Sequence, residues 1–177
     1  IRAVEKKGFV DLMQTWDADV ICLQETKAQK EQLSDELINI GDYTSYWHSG
    51  EKKGYSSVAI YSRIKPIRVI EGMGIEEFDR EGRVIIAEFS DFYIFGIYFP
   101  NAQAELKRID YRLEFGDALI ELLKEKYSDK ITLFDYYEII CNNQIKKCQS
   151  IDEENKKIFY DYGHFTLNGS KYLGKIL

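Results

Sequence analysis

The sequence lacks any long hydrophobic run, and no stretch approaches the roughly 18 consecutive apolar residues that a membrane-spanning helix needs. Its opening residues, IRAVEKKGF, contain neither the apolar core nor the small-residue cleavage site of a secretory signal peptide. They also contain no initiator methionine, so we expect further residues upstream. These absences predict a cytoplasmic protein without a membrane segment, and we expect it to be a monomer.

The chain also has no excess of basic residues. Its 24 lysines and arginines face 30 aspartates and glutamates, which gives a formal net charge of −6. A protein that coats nucleic acid non-specifically needs a broad basic surface, so the charge argues against that class. The net charge remains compatible with an enzyme that binds phosphates through a metal ion and a few local cations.

Cysteines are few, and they fall in two different settings. Cys22 lies in a short apolar run that we expect to be buried. Cys141 and Cys148 lie near the C-terminus, where they either form a disulfide of an extracytoplasmic fragment or are two unrelated thiols.

The 177 residues are enough for one domain with a sizeable core, or for two small units. The spacing of apolar residues predicts helices over VEKKGFVDLMQTW and KEQLSDELINI, and a long amphipathic helix from Leu106 to about Lys126. The run Val20–Leu23 predicts a strand buried on both faces. Three further strands are predicted over SSVAIYS, RVIIAEF and FYIFGIYF. There are no internal repeats.

The first predicted strand ends at Glu25. A carboxylate in that position is either a solvated strand end or a metal ligand held on a rigid element at the mouth of an α/β site. Residue type alone favours the solvated strand end.

Four segments decide between these readings when they are taken in order: LQETK, EKKGYSSVAIYSR, FDREGRVIIAEF and IYFPNAQAELKRIDYRLEF. Together they resemble the exonuclease III and apurinic-apyrimidinic endonuclease family of the endonuclease–exonuclease–phosphatase superfamily, over residues 1–126. The resemblance implies an α/β fold, a partial four-layer α/β sandwich. It also implies a Mg²⁺-dependent or Mn²⁺-dependent phosphodiesterase of base-excision repair, with double-stranded DNA carrying abasic sites or 3′ ends as its partner.

The resemblance assigns roles to individual residues. Glu25 matches the family's metal-binding glutamate, and Lys27 is a candidate cation beside it. Tyr98 and Asn101, in YFPN, match the active-site tyrosine and asparagine that sit near the scissile phosphate. A phenol and a carboxamide can donate hydrogen bonds to phosphoryl oxygens as negative charge builds there. Without the resemblance, Tyr98 would be taken for a core aromatic.

Three more residues are implied to contact DNA. Tyr55 falls where the family touches its substrate, and Arg108 and Arg112 fall in the segment after the active-site tyrosine. Arg112 either positions the duplex or pairs with Glu105 or Asp110 on its own helix. Two nearby positions depart from the family pattern, since Ser57 replaces a usual glycine and His48 replaces a common asparagine.

Several family motifs are missing from the sequence. The asparagine of the NG pair that precedes IRA is absent, and residues 127–177 contain neither GDxN nor SDH. The FGDA at 115–118 falls inside the predicted helix and is no equivalent. These absences predict a nuclease that is weakly active or inactive.

Residues 127–177 resemble instead the C-terminal end of an SGNH-type hydrolase or acyltransferase domain, an α/β hydrolase-like fragment. Asp161 and His164 match its D-x-x-H block, in which the histidine is general base to a serine, but no Gly-Asp-Ser occurs in the chain. We therefore expect a join near residues 126–130, and His164 far from Glu25. A serine esterase or acyltransferase fragment, or a non-catalytic remnant, stays as an alternative function.

Overall fold

The structure is a computed structural model that describes residues 1–129, 141–142, 147–148 and 156. The chain divides into two units, Ile1–Ile131 and Thr132–Leu177. Within the described residues of the first unit, two small sheets and five α-helices form the fold.

The first sheet is antiparallel and joins strands from the N-terminal third of the chain. Strand β1 is Val20–Gln24, β2 is Thr44–His48 and β3 is Val58–Ser62. Their order is β1-β3-β2, and the register places Ile21 opposite Tyr61. The central strand, β3, is buried along its whole length because it has neighbours on both sides and cover on both faces.

The second sheet is also antiparallel and follows directly along the chain. Strand β4 is Arg68–Glu71, β5 is Val84–Glu88 and β6 is Tyr93–Ile97, in the order β4-β5-β6. The three strands predicted from SSVAIYS, RVIIAEF and FYIFGIYF are therefore confirmed as β3, β5 and β6. Strands β2 and β4 were not predicted, because their short, mixed sequences TSYWH and RVIE carry no long apolar run.

Five α-helices accompany the sheets. Their bounds are α1 Arg2–Glu5, α2 Phe9–Thr15, α3 Asp35–Ile38, α4 Glu76–Asp79 and α5 Ile109–Tyr127. The predicted long helix is confirmed as α5, although it begins at Ile109, after a 3₁₀ turn at Ala104–Leu106. The first predicted helix is split in two where Gly8 adopts a φ of 81°. The second is a 3₁₀ turn at Lys30–Gln32 followed by α3.

The two sheets lie face to face, and helices cover their outer sides. Alternate residues of β3 and β5 point in opposite directions, as strand geometry requires. The layer between the sheets holds Val58, Ile60, Ile85, Ala87 and Phe89. Outside the first sheet, the core includes Met13, Ile21, Trp47, Ala59 and Tyr61. Between the second sheet and α5, it includes Phe78, Val84, Ile86, Phe115 and Leu119. The order helix, sheet, sheet, helix confirms the predicted α/β sandwich.

Strand β1 is not buried on both faces as expected. Ile21 is buried, but Cys22 is exposed. Among the described strands β1 pairs with β3 alone, so it lies at the edge of its sheet. Edge position is a tertiary property, and the apolar run did not reveal it.

Little of the second unit is described. Strands β7, Cys141–Asn142, and β8, Lys147–Cys148, pair antiparallel, and the register sets Cys141 opposite Cys148 along the backbone. Asp161 and His164 lie outside the described residues. No described helix is long and apolar enough to cross a membrane.

Two loops cross closely at glycines beside the second sheet. A Cβ built on Gly82 would lie 2.4 Å from the backbone nitrogen of Gly50. The residue after Gly50, Glu51, donates its N–H to the carbonyl of Arg80 at 2.8 Å. This contact leaves no room for a side chain at residue 82.

We predict that Gly82→Ala is more destabilising than Gly54→Ala. Both glycines have a positive φ, 61° and 73°, so alanine is strained at either position. Only Gly82 lacks space, since nothing lies within 4 Å of a Cβ at Gly54. Gly82→Ala should cost about 1–3 kcal/mol more of unfolding free energy, because overpacking adds to the strain. Urea unfolding of both variants measures the difference, and equal losses would contradict the close crossing.

Candidate active site

The residues that follow β1 and β6 meet at the same end of the sandwich. Glu25 directly follows the last residue of β1, and Tyr98 directly follows the last residue of β6. The side-chain amide of Gln24 donates a hydrogen bond to the carbonyl of Ile97, so the two strand ends are tied together. The sequence predicted that these side chains lie at one end of a single sheet. The structure places them on two facing sheets.

Glu25 stands on a tightly bonded turn. Its φ is 58°, in the left-handed region, and Lys27 also has a positive φ, 50°. The N–H groups of Thr26 and Lys27 donate to the carbonyls of Ser57 and Ser56 at 3.1 and 3.0 Å. A conformation that costs energy in most residues is thus held by bonds to the loop before β3.

The carboxylate of Glu25 has two neighbours. Lys27 Nζ lies 2.8 Å from Glu25 Oε1, and the side chain of Tyr98 is the second neighbour of this carboxylate. The hydrogen bond from Lys27 comes first in lowering the pKa of Glu25, and the charge of Lys27, the neighbouring hydroxyl of Tyr98 and the charge of Arg83 lower that pKa further. Glu25 therefore stays ionised at neutral pH.

Tyr98 is half-buried beside this carboxylate. Burial raises the pKa of Tyr98, and the negative charge of Glu25 raises it further. The phenol consequently stays protonated at neutral pH and remains a hydrogen-bond donor. A neutral donor and an ionised carboxylate thus share one exposed corner.

Behind Tyr98 lies a buried polar network that the sequence did not predict. Arg83 is 3% exposed, and its Nε lies 2.6 Å from Glu81 Oε2. Arg108 Nη2 lies 2.6 Å from Glu81 Oε1. Burial alone would raise the pKa of Glu81, but the bonds from Arg108 and Arg83 outweigh it and lower that pKa. The carboxylate is shared by two guanidinium groups.

Tyr55 joins this network from the other side. Its hydroxyl accepts hydrogen bonds from Arg83 Nη2 at 3.1 Å and from Arg108 Nη1 at 2.8 Å. Lys52 Nζ lies 5.4 Å from the centre of the Tyr55 ring, at cation–π distance. Two of the residues implied to contact DNA, Tyr55 and Arg108, are therefore bonded to each other.

Arg112 takes neither of the helical ion pairs considered for it. It donates to the carbonyl of Pro100 at 3.0 Å and covers the ring of Phe99, while Glu105 pairs with Lys107. The side chain therefore braces the segment that follows Tyr98.

Asn101 lies in that same segment, three residues after Tyr98, and is exposed. The structure leaves its side chain accessible at the position where the family motif has its asparagine.

The two departures from the family pattern both have a structural account. Ser57 has a φ of 76°, which explains why glycine suits this position, and its hydroxyl accepts from the N–H of Gly50 at 3.0 Å. His48 is buried, and its Nδ1 lies 2.6 Å from the carbonyl of Val84. Since a carbonyl only accepts, Nδ1 carries the proton. His48 thereby links the end of β2 to the start of β5.

The donor atoms at this corner fit a metal ion that is only partly held by protein. Glu25 supplies one ionised carboxylate, 48% exposed. Among the described residues, no three His, Cys, Asp or Glu side chains cluster closely enough to hold a metal ion. Mg²⁺ usually keeps several waters and takes one or two carboxylates plus substrate phosphate. The site fits such an ion and does not fit a cage made of protein alone.

Comparison with known proteins defines the class. Residues 2–128 match the model of the Endonuclease/Exonuclease/phosphatase family. The chain therefore belongs to the Endonuclease/Exonuclease/phosphatase family. Residues 83–177 also match the SGNH domain (fused to AT3 domains). This second match begins well before residue 127, where the resemblance was expected to start. The two matches share residues 83–128, which form β5, β6 and α5 of the sandwich.

Individual relatives point the same way. The chain is 40% identical over 158 residues to the exodeoxyribonuclease of Bacillus subtilis, covering 89% of the chain and 59% of that protein. It is 44% identical over 114 residues to the DNA repair nuclease APEX1 of Danio rerio, covering 63% of the chain and 37% of that protein. The chain thus spans less than two thirds of the length of these relatives.

Solved structures agree on the fold. A 3′-5′ exonuclease from Neisseria meningitidis matches with a TM-score of 0.60 and 25% identity, over 71% of this chain and 49% of that one. An AP endonuclease from Archaeoglobus fulgidus matches with a TM-score of 0.56 and 27% identity, over 66% and 45%.

We predict that Lys27→Met raises the pKa of Glu25. The ammonium group favours the carboxylate, so its removal must shift that pKa upward, toward the ordinary value. A ¹³C NMR titration of the glutamate carboxyl groups measures the shift. Lys107→Met is the matched control, because Lys107 also pairs with a glutamate two residues before it, Glu105. An unchanged Glu25 titration in Lys27→Met would contradict the ion pair.

Proposed function

We propose that this chain is the DNA-binding and partly catalytic portion of a metal-dependent DNA phosphodiesterase of base-excision repair. The substrate is double-stranded DNA, cut 5′ of an abasic site or shortened from its 3′ end. The observation that carries the proposal is the neighbouring pair of Glu25 and Tyr98. It stands at the joined ends of β1 and β6, in a fold shared with nucleases of these two activities. We further propose that the protein acts in the cytoplasm as a monomer.

Glu25 is the residue that would hold the ion, Mg²⁺ or Mn²⁺. A bound divalent ion supplies positive charge that stabilises a phosphate under attack and its leaving oxygen. The lowered pKa of Glu25 suits this role, because only an ionised carboxylate is a good ligand. Lys27 has a side chain 52% exposed, so it can release Glu25 and turn to a phosphate oxygen.

Tyr98 would act as a hydrogen-bond donor to the phosphate. Its phenol stays protonated because its pKa is raised, and its half-buried ring fixes the direction of the hydroxyl. A donor aimed at an oxygen that gains charge stabilises the transition state. Asn101, exposed three residues further along, would contribute a second donor from its carboxamide.

Tyr55, Arg108 and Arg112 would position the duplex. Arg108 keeps part of its side chain exposed while its guanidinium bonds Glu81 and Tyr55. An arginine held in this way presents its charge to a phosphate without losing much conformational freedom. Lys52, at the Tyr55 ring, adds a further cation.

The match to the SGNH domain favours a second candidate function, a serine esterase or acyltransferase fragment that uses Asp161 and His164. Hydrolysis of p-nitrophenyl acetate that is lost in His164→Ala would support it. The sequence contains no Gly-Asp-Ser nucleophile block, which weighs against it. A chain that neither binds DNA nor hydrolyses esters would be a non-catalytic remnant.

We predict that the 177-residue chain binds an abasic-site duplex but cleaves it slowly or not at all. Residues 127–177 contain neither GDxN nor SDH, whose water-activating and phosphate-binding groups are each worth about 10²–10⁴ in rate. Fluorescence anisotropy measures the binding, and gel analysis of a labelled duplex with Mg²⁺ measures the cleavage. Any product should vanish with EDTA and in Glu25→Ala, and persist in Glu105→Ala.

Two outcomes would contradict this account. Rapid multiple turnover by the wild-type chain would show that the missing motifs are not needed. Failure of the wild-type chain to bind the duplex would overturn the proposed function itself.

A further inference from the structure

Arg83 occupies a central position, and neither the sequence motifs nor the similar proteins assign a role to it. It is 3% exposed, and each nitrogen of its guanidinium has a partner. Nε donates to Glu81 at 2.6 Å, Nη1 to the carbonyl of Tyr98 at 3.1 Å and Nη2 to the hydroxyl of Tyr55 at 3.1 Å. A buried charge is tolerated only when it is fully paired, so this geometry is strongly determined.

Further contacts hold the same residues together. The N–H of Tyr98 donates to the carbonyl of Arg83 at 2.8 Å, so the two residues exchange bonds in both directions. The guanidinium also lies over both rings, 4.8 Å from the centre of Tyr98 and 5.6 Å from that of Tyr55. Both tyrosines are therefore fixed to one side chain by a hydrogen bond and by a ring contact.

We propose that Arg83 is a positioning residue that holds Tyr55 and Tyr98 at a fixed spacing. A DNA strand bound at Tyr55 then contacts the phenol of Tyr98 without movement of either ring. The roles of the two tyrosines toward DNA rest on the function proposed above, whereas the coupling between them does not.

Only arginine suits this position. Its planar group presents donors in three directions at once, toward a carboxylate, a carbonyl and a hydroxyl. Lysine would keep the positive charge but carries its donors on a single nitrogen atom, which cannot reach all three partners. Glutamine would lose the charge as well. The two substitutions therefore separate charge from geometry.

The test compares Arg83→Lys and Arg83→Gln in the full 177-residue chain with ¹³Cζ-tyrosine labels. We expect the NMR signals of Tyr55 and Tyr98 to shift in both variants. Both signals should move further in Arg83→Gln, which loses the charge and the geometry, than in Arg83→Lys, which loses the geometry alone. These measurements need no DNA and no enzymatic activity, so they test the coupling even if the proposed function fails.

Arg63→Gln is the matched control. Arg63 also donates to an acidic side chain, Asp42, and to a backbone carbonyl, that of Trp16, and it covers a tyrosine ring, Tyr43, at 4.7 Å. Substitution of Arg63 should shift the NMR signal of Tyr43 and leave the NMR signals of Tyr55 and Tyr98 unchanged. An unchanged Tyr43 signal in the Arg83 variants shows that they are folded.

A binding cycle tests the consequence for DNA. Affinity for an abasic-site duplex should fall about tenfold in Arg83→Gln, a typical coupling for residues that share a network. Because Arg83 acts through Tyr55, the double variant Arg83→Gln with Tyr55→Phe should lose less affinity than the product of the fold losses of the two single variants. Tyr55 and Tyr98 signals that stay unchanged in folded Arg83→Gln would overturn the proposal, and so would fully multiplicative losses of affinity.

Discussion

The face-to-face packing of the two sheets is the constraint on which the candidate site depends. Val58 and Ile60 of β3 meet Ile85 and Ala87 of β5 in a buried apolar layer. Gly96 of β6 brings its backbone close to this layer, since a Cβ there would lie 2.8 Å from Ile85. The close approach sets the ends of β1 and β6 side by side. Glu25 and Tyr98 meet because two strands distant in sequence end at one corner.

The buried polar network behind Tyr98 has a different effect, which is electrostatic. Arg83 and Arg108 bring two positive charges into a half-buried region where Glu81 offers one negative charge. The remaining donors bond to Tyr55 and to the carbonyl of Tyr98. Charge that is kept from water acts over a longer range than charge on the surface. The network can therefore bias Glu25 and Tyr98 while the exposed side of this corner stays open.

Much of this organisation was predictable, but for two distinct reasons. Helix α5 followed from physical periodicity, because its apolar residues recur at helical spacing. The roles proposed for Glu25 and Tyr98 rest on the order of the motifs, since chemistry alone favoured a solvated strand end and a core aromatic.

What could not be predicted depends on tertiary contacts. Arg83 bonds residues 15 and 28 positions away, Tyr98 and Tyr55, and no local pattern marks such partners. Cys22 was expected to be buried, and it is exposed in a strand, β1, that has one neighbour among the described strands. Strands β2 and β4 are short and partly polar, so their sequences resemble those of loops.

The most direct test of the account is paramagnetic broadening of backbone NMR signals by Mn²⁺, added in small amounts to the whole chain. If Glu25 and Tyr98 form the metal-binding corner, broadening should centre on Glu25 and Tyr98 and disappear in Glu25→Gln. Broadening centred instead on the acidic helix α4, Glu76–Asp79, and unchanged in Glu25→Gln, would contradict the central claim.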